Sequence, residues 1–324
     1  MHPFQYFQEI IKNKVDNLVF NDNPKELYDP IKYSLSAGGK RLRPVLTLMA
    51  CDMFSGNIEQ AINPAIAYEI FHNFTLIHDD IMDNSCVRRN KLTVHNKWNN
   101  NIAILSGDAM VFKAYDFFLE LDPKLLKKTI TLFNNTAIEV CEGQQYDMNF
   151  ETKEDVSIEE YLEMIKLKTS VLIAACLKTG AIIANASDKD ANLIYDFGIN
   201  IGLAFQLQDD LLDVYGDFDV FGKKIGNDIV SNKKTFLLIN AKKLAKDKML
   251  DSLNYYLQLK NFSKFEKVAK VTEIYNKLDV KELAEIKIKL FFNKAIYSLN
   301  KINIEENKKT ELLLFANNLV ERSF

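Results

Sequence analysis

Arginine is nearly absent from this chain. Only five of its 41 basic residues are Arg (Arg41, Arg43, Arg88, Arg89 and Arg322), and Lys supplies the rest. Ordinary solvation is therefore left to Lys. The planar, multi-donor fork of Arg, which can grip a phosphate bidentately, is kept for a few places, four of them inside two short motifs. Glycine and proline are also scarce, at 11 and 6 residues. No strand–helix alternation or period-two run of useful length appears, which argues against a parallel sheet. The four cysteines are far apart, with no CxxC pair or zinc-like grouping, and read as free thiols of a reducing compartment. A net charge of −3 supplies no basic field for nucleic acid. No apolar run reaches the length of a membrane span, since even 171–184 is broken by Lys178. Residues 1–20 are interrupted by Glu9, Lys12, Lys14 and Asp16, so no signal-peptide core is present. The expectation is a cytoplasmic protein without an integral membrane segment.

What is there is helix. Ile66, Ile70, Phe74 and Ile77 make one stripe at helical spacing, and Leu193, Phe197, Ile201 and Ala204 make another. Ten or more helices with short connections are expected, packed as an all-α bundle. With 48% apolar residues the chain can bury a substantial core, and no composition shift or short repeat divides it. Residues 1–324 are read as a single domain.

Two such stripes run into the same acidic signature, Asp79-Asp80-Ile81-Met82-Asp83 and Asp209-Asp210-Leu211-Leu212-Asp213. Asp is a poor helix former, and like charges at i,i+4 repel. The first and last Asp of each set project from one helix face about 6 Å apart along the axis. Hard cations that take oxygen ligands suit that arrangement, Mg²⁺ above all, because it binds few protein ligands and fills its shell with substrate phosphate. A solvated acidic helix end is the bland alternative. The apolar flanks 71–77 and 201–208 count against it, as does the repetition of the signature.

The turn Gly38-Gly39-Lys40-Arg41-Leu42-Arg43-Pro44 can be a helix start with solvated basic side chains. It can also be an anion site in which backbone N–H groups, Lys40 and Arg43 hold phosphate. Acidic metal-type motifs together with Arg88-Arg89 favour the second reading. His72 lies seven residues before Asp79, two turns away on the same side, as a satisfied core His or a phosphate donor. Lys223, Lys224, Lys233 and Lys234 follow the second signature, as a solvated loop or as a lid over a polyanion.

In this order, with 72–83, Arg88-Arg89, Lys168-Thr169, 205–213, 222–228 and 232–235, the motifs resemble those of the trans-polyprenyl diphosphate synthases. The resemblance covers about Ser36 to Lys234. It implies a helical bundle of the isoprenoid synthase type, usually a homodimer, with a central cavity between the two Asp-bearing helices. It further implies three Mg²⁺ ions on Asp79, Asp83 and Asp209, supported by Asp80, Asp210 and Asp213. Arg88, Lys168, Gln206 and Lys223 (or Lys224) hold an allylic diphosphate (dimethylallyl, geranyl or farnesyl). Lys40, Arg43, His72 and Arg89 hold isopentenyl diphosphate, and Lys233 joins the lid. Thr169, the Gln206 carbonyl and the Lys168 backbone carbonyl stabilise the allylic cation. No protein nucleophile is required.

Two departures stand out. After Arg89 the family usually has Gly-x-Pro-Thr, where this chain has Asn90-Lys91-Leu92-Thr93. Asn tolerates a left-handed backbone, so the turn can survive, but without Pro the loop is less rigid. The C-terminus, Glu321 to Phe324, lacks the basic tail of some relatives.

Chain length is expected to depend on the residues beneath the first signature: Thr75 about 6 Å below Asp79, Phe71 about 12 Å below, and Phe74 slightly rotated. One aromatic and one small residue at the two nearest positions resemble the pattern of geranylgeranyl diphosphate synthases. Farnesyl diphosphate synthase is the alternative, with Phe71 and Phe74 as the floor and side chains from Met110–Tyr115 able to intrude. A terpene cyclase would replace the second signature and dispense with Lys40 and Arg43. A non-catalytic subunit of a heteromeric synthase would lose one signature.

Overall fold

The computed structural model of the chain describes residues 2–216, 226–259, 261 and 263–320. Lys223 and Lys224, and the C-terminal residues from Glu321, lie outside that set. Helix dominates, as the apolar spacing requires. In chain order the helices are α1 (Phe4–Asp16), α2 (Lys25–Leu35), α3 (Leu42–Met53), α4 (Ile58–Met82), α5 (Val94–Lys97), α6 (Asn100–Leu119), α7 (Pro123–Thr152), α8 (Ile158–Ile165), α9 (Val171–Ile183) and α10 (Asp188–Tyr215). Then come α11 (Asn227–Ser231), α12 (Phe236–Leu244), α13 (Asp247–Gln258), α14 (Lys264–Lys277), α15 (Val280–Asn300) and α16 (Thr310–Val320). Among the described residues the strands are β1 (Val87–Arg88) and β2 (Lys91–Leu92), a two-stranded antiparallel hairpin.

Local chemistry explains several starts. Ser157 and Glu160 form a capping box that satisfies orphan N–H groups at the head of α8. Asn57 and Asn99 accept hydrogen bonds from Glu59 N–H (3.1 Å) and Ile102 N–H (2.9 Å) to start α4 and α6.

The chain folds as two compact units, one of Met1–Asn134, Ala175–Tyr195 and Asn303–Leu312, the other of Asn135–Ala174, Asp196–Ile302 and Leu313–Phe324. The first is built on α3, α4 and α6. Its core includes an aromatic cluster in which Phe133 meets Tyr68, Phe71, Tyr115 and Phe118 at ring separations of 4.9–5.6 Å. It also buries an ion pair, Arg41 to Glu69, the carboxylate also accepting from Asn73 Nδ2 at 2.9 Å. The second unit packs the inner faces of α8, α10, α12, α13, α14 and α15 around Tyr161, Leu207, Leu211, Leu253, Val271 and Val280. No helix among the described residues is long and apolar enough to cross a membrane.

Candidate active site

In the first unit the acidic signature falls on the last turn of α4, with Asp83 as its C-cap. That is the negative end of the helix dipole, where three carboxylates are at their least favourable. The hairpin supplies compensation. Arg88 Nε donates to Asp80 Oδ1 at 2.7 Å, and its Nη2 donates to Asp79 Oδ2 at 3.2 Å. Asp80 is buried and Asp83 is exposed. Burial raises the Asp80 pKa, against the opposing pull of Arg88.

Arg89 and Asn90, the two residues of the hairpin turn, both have positive φ (51° and 61°), the type I′ pattern that matches strand twist. Asn90 thus keeps the turn that Gly usually makes. Arg89 reaches back to donate to the carbonyl of Gly38. At Gly39, φ is +124°, and a Cβ there would stand 2.7 Å from the Arg89 guanidinium carbon, so the turn needs a residue without a side chain. Lys40 is exposed on this turn, and its carbonyl accepts from Gln8 Nε2 at 3.0 Å. Arg41, which carried no assignment from sequence, is the buried pin: its left-handed backbone (φ 50°) precedes α3, and its guanidinium binds Glu69 and the Leu35 carbonyl.

Arg43 Nη1 lies 3.1 Å from His72 Nε2. A guanidinium can only donate, so Nε2 accepts and the ring proton sits on Nδ1. Burial, followed by the charges of Arg43, Arg89, Arg88 and Arg41, holds the His72 pKa well below 6.5, so the ring is neutral. His72 orients Arg43. A cavity lined by Asn73, Asp80, Arg88, Arg89, Lys91 and Tyr33, among others, opens between α4 and the hairpin.

Along α4 from Asp79, Thr75 donates to the His72 carbonyl of its own helix at 2.8 Å. Phe71 is buried and meets Phe74 and Phe133 at 5.4 and 5.1 Å, while Phe74 stands edge-on to His78 at 4.7 Å. From the 110–115 stretch, Tyr115 joins this cluster through Phe133 at 5.2 Å.

In the second unit the signature occupies the last turns of α10. The buried middle residue, Asp210, accepts from the Tyr161 hydroxyl on one oxygen and from Gln206 Nε2 at 3.0 Å on the other. Burial and the neighbouring Asp228 carboxylate push its pKa up to about 7, against those hydrogen bonds and the charge of Lys233. With its amide nitrogen spent on Asp210, Gln206 turns its carbonyl to the Thr169 hydroxyl, which donates at 3.1 Å. Asp213 Oδ2 accepts the Asp228 N–H at 2.9 Å. Asp209 is part-buried on the same helix.

Lys168 and Thr169 sit in a π-helical turn, Lys166–Ser170, where the Val171 N–H reaches the Lys166 carbonyl. Such a turn breaks the regular ladder and is frequent at functional sites. Gly143 of α7 packs against it so closely that a Cβ would stand 2.2 Å from the Lys168 nitrogen. One turn on, Asp147 Oδ2 receives Lys168 Nζ at 2.7 Å, with Lys233 Nζ at 3.8 Å. Burial opposes ionisation of Asp147, but the two lysines win and lower its pKa.

Asp147 and Tyr161 escaped the sequence reading. A signal for the first existed: Thr136, Val140, Gly143, Asp147 and Phe150 recur at helical spacing, and an Asp within an otherwise inward-facing stripe is a marked residue.

Among the described residues no three His, Cys, Asp or Glu side chains form a closed metal cage. The donor sets still suit Mg²⁺: paired carboxylates one turn apart, oxygen ligands only, with cationic side chains beside them to meet a polyanion. The family model described as polyprenyl synthetase matches residues 24–278. The chain belongs to the polyprenyl synthetase family. It is 43% identical over 229 residues to a geranylgeranyl diphosphate synthase of Methanosarcina mazei, covering 70% of this chain and 71% of that one. To that of Saccharolobus solfataricus it is 37% identical over 316 residues, covering 95% and 94%. A crystal structure of a geranylgeranyl pyrophosphate synthase superposes with a TM-score of 0.95 at 42% identity over the whole of both chains. A Corynebacterium glutamicum geranylgeranyl pyrophosphate synthase, solved with isoprenyl diphosphate and magnesium, superposes with a TM-score of 0.84 at 26% identity, covering 99% of this chain and 96% of that one. Within this polyprenyl synthetase, both acidic signatures and the Arg-bearing hairpin fall inside the matched residues.

Proposed function

We propose that this polyprenyl synthetase is a Mg²⁺-dependent prenyltransferase that condenses isopentenyl diphosphate with an allylic diphosphate, head to tail. Geranylgeranyl diphosphate is its product. The observation that carries the reading is the pairing of two carboxylate signatures with ten of the cationic and polar residues the reaction needs: Lys40, Arg43, His72, Arg88, Arg89, Lys168, Thr169, Gln206, Lys233 and, outside the described residues, Lys223. Residues 1–324 act as one functional domain in the cytoplasm.

Asp79, Asp83 and Asp209 hold the metal ions, three of them in this reading, with Asp80, Asp210 and Asp213 as supports. When bound, Mg²⁺ supplies Lewis-acid stabilisation to the leaving diphosphate. Arg88, Lys168 and Lys233 carry the same burden as preorganised cations, already held by carboxylates that diphosphate oxygens can displace. As the allylic C–O bond breaks, the electron pair leaves with the diphosphate and an allylic cation forms. Thr169 spends its proton on Gln206, which leaves its oxygen lone pairs for that cation. On the isopentenyl side, Arg43 (oriented by neutral His72), Arg89 and Lys40 fix the second diphosphate. The isopentenyl double bond attacks the cation, and the departed diphosphate takes the proton that closes the new double bond.

Phe71 packs against Phe74 and Phe133 about 12 Å along the helix from Asp79. Thr75 leaves the first turn open, and that favours twenty carbons over fifteen. A homodimer is part of the reading. Leu105, Phe112 and Leu119 recur every seventh residue on one face of α6, exposed by 60%, 72% and 62%, an apolar stripe fit for a second copy.

Product analysis with Mg²⁺, isopentenyl diphosphate and farnesyl diphosphate tests the reading. A twenty-carbon diphosphate supports it. Product from shorter starters only, stopping at fifteen carbons, makes Phe74 and Phe71 the floor of a farnesyl diphosphate synthase. No product from any starter favours a non-catalytic subunit, and cyclised product without isopentenyl diphosphate a terpene cyclase.

A further inference from the structure

The hairpin that carries Arg88 and Arg89 keeps its turn with Asn90 but has Leu92 where the family usually has the Pro that stiffens it. Two strands of two residues have little stability of their own. Three side chains tie them to the stretch that leads from α2 into the glycine turn. The Tyr33 hydroxyl donates to the Leu92 carbonyl at 2.9 Å, Lys91 Nζ donates to the Ser36 carbonyl at 3.1 Å, and Arg89 donates to the Gly38 carbonyl. The Tyr33 ring is itself held, edge-on to Trp98 at 5.3 Å and with Lys97 Nζ 3.8 Å from its centroid. Its hydroxyl is therefore aimed by packing before it makes the bond.

We propose that Tyr33, assisted by Lys91, is a positioning residue that straps the hairpin to α2 and so sets Arg89 for the isopentenyl diphosphate. This rests on the reading of Arg89 as a ligand of that substrate. Pro at 92 would stiffen the strand by restricting its unfolded states. Here side-chain hydrogen bonds do so in the folded state. The register makes the two devices interchangeable. Arg88 and Lys91 flank the turn as its hydrogen-bonded pair, so the next pair, Val87 and Leu92, is the non-hydrogen-bonded one. The Leu92 N–H is not spent on the ladder, and Pro can stand there.

The test uses the full chain as wild type, Tyr33→Phe, Tyr33→Phe with Leu92→Pro, Lys91→Met and Arg89→Gln, read by amide hydrogen exchange over 86–93 and by steady-state kinetics. Tyr33→Phe should speed exchange over 86–93 and raise KM for isopentenyl diphosphate, each about fivefold. Its kcat and its KM for the allylic diphosphate should stay unchanged. Adding Leu92→Pro should restore both values, and Lys91→Met should repeat the Tyr33→Phe effect at smaller size. Unchanged exchange in Tyr33→Phe overturns the strap. So does a fall in kcat and a rise in both KM values without rescue by Leu92→Pro, which would make Tyr33 merely structural. Exchange needs no substrate, so it judges the strap even if the reading of the site fails. That failure has its own mark, an Arg89→Gln variant with unaltered KM for isopentenyl diphosphate.

Discussion

At the end of α4 the buried middle carboxylate, Asp80, meets a guanidinium; at the end of α10 its counterpart, Asp210, meets a phenol and an amide. The spacing of the three Asp within five residues is the same, and so is the placement on the last turns of a long helix. The means of tolerating a buried carboxylate differ. A charged partner acts directly on the ionised form. Burial raises the pKa of both carboxylates. At Asp80 the Arg88 charge opposes the rise, whereas at Asp210 the neighbouring Asp228 carboxylate adds to it and takes the pKa to about 7 against its neutral donors and Lys233. One region is stabilised by charge on charge, the other by a hydrogen-bonded chain from Tyr161 through Asp210 and Gln206 to Thr169. A repeated motif therefore does not imply a repeated environment.

The strongest challenge to the comparison is to remove the outer carboxylates. Asp79→Ala and Asp209→Ala should each lower turnover by about a thousandfold or more if, as proposed, each removes a ligand to a Lewis acid worth several kcal/mol. Steady-state assays at saturating Mg²⁺ decide it. A variant with wild-type turnover takes that Asp out of metal binding.

Gly143→Ala should come next. Its methyl would meet backbone at 2.2 Å, not a movable side-chain tip. A loss of about 2–3 kcal/mol is expected, with kcat falling because Lys168 and Thr169 shift. Denaturant unfolding and kcat should move together, and an unchanged midpoint would mean that α7 and the π-helical turn can separate at no cost.

Arg88→Met and Tyr161→Phe then set the two regions side by side. Arg88→Met strands a buried carboxylate and should cost about 2–3 kcal/mol in urea unfolding, whereas Tyr161→Phe removes one of two neutral donors and should cost about 1 kcal/mol. Equal losses would erase the distinction drawn above.

A further, pH-dependent effect concerns the cationic side of the first region. His72 has a folded pKa well below the 6.5 of the unfolded chain, so on acidification the unfolded state takes up the proton first. Its contribution to stability is therefore complete above that value and declines as pH falls below it, by up to about 1.4 kcal/mol per pH unit. His72→Asn should flatten that part of the stability–pH curve. Identical curves between pH 7 and 5 would show that neither burial nor the Arg cluster lowers the His72 pKa.

Much of the site could be read from residue order because its parts act through local spacing. Asp79 and Asp83 share a helix face by the geometry of the helix alone, and Arg88 follows closely enough to fold back on Asp79 and Asp80. Asn90 kept the turn for the reason its chemistry suggested. Tyr161 and Asp147 could not be found that way. Tyr161 meets its partner 49 residues along the chain, and Asp147 meets Lys168 after 21. Arg41 looked like one more basic residue of a phosphate turn, yet it is buried against Glu69, 28 residues on.

By itself the sequence determined the helical class, the two acidic helix ends, the basic glycine turn and the family, because periodicity and spacing act within a few turns of chain. Only the tertiary structure decided which carboxylates face inward, which cations are already paired, and that Tyr33 stands in for a missing proline. Those depend on groups far apart in sequence being brought within hydrogen-bond distance, and no local pattern carries that distance.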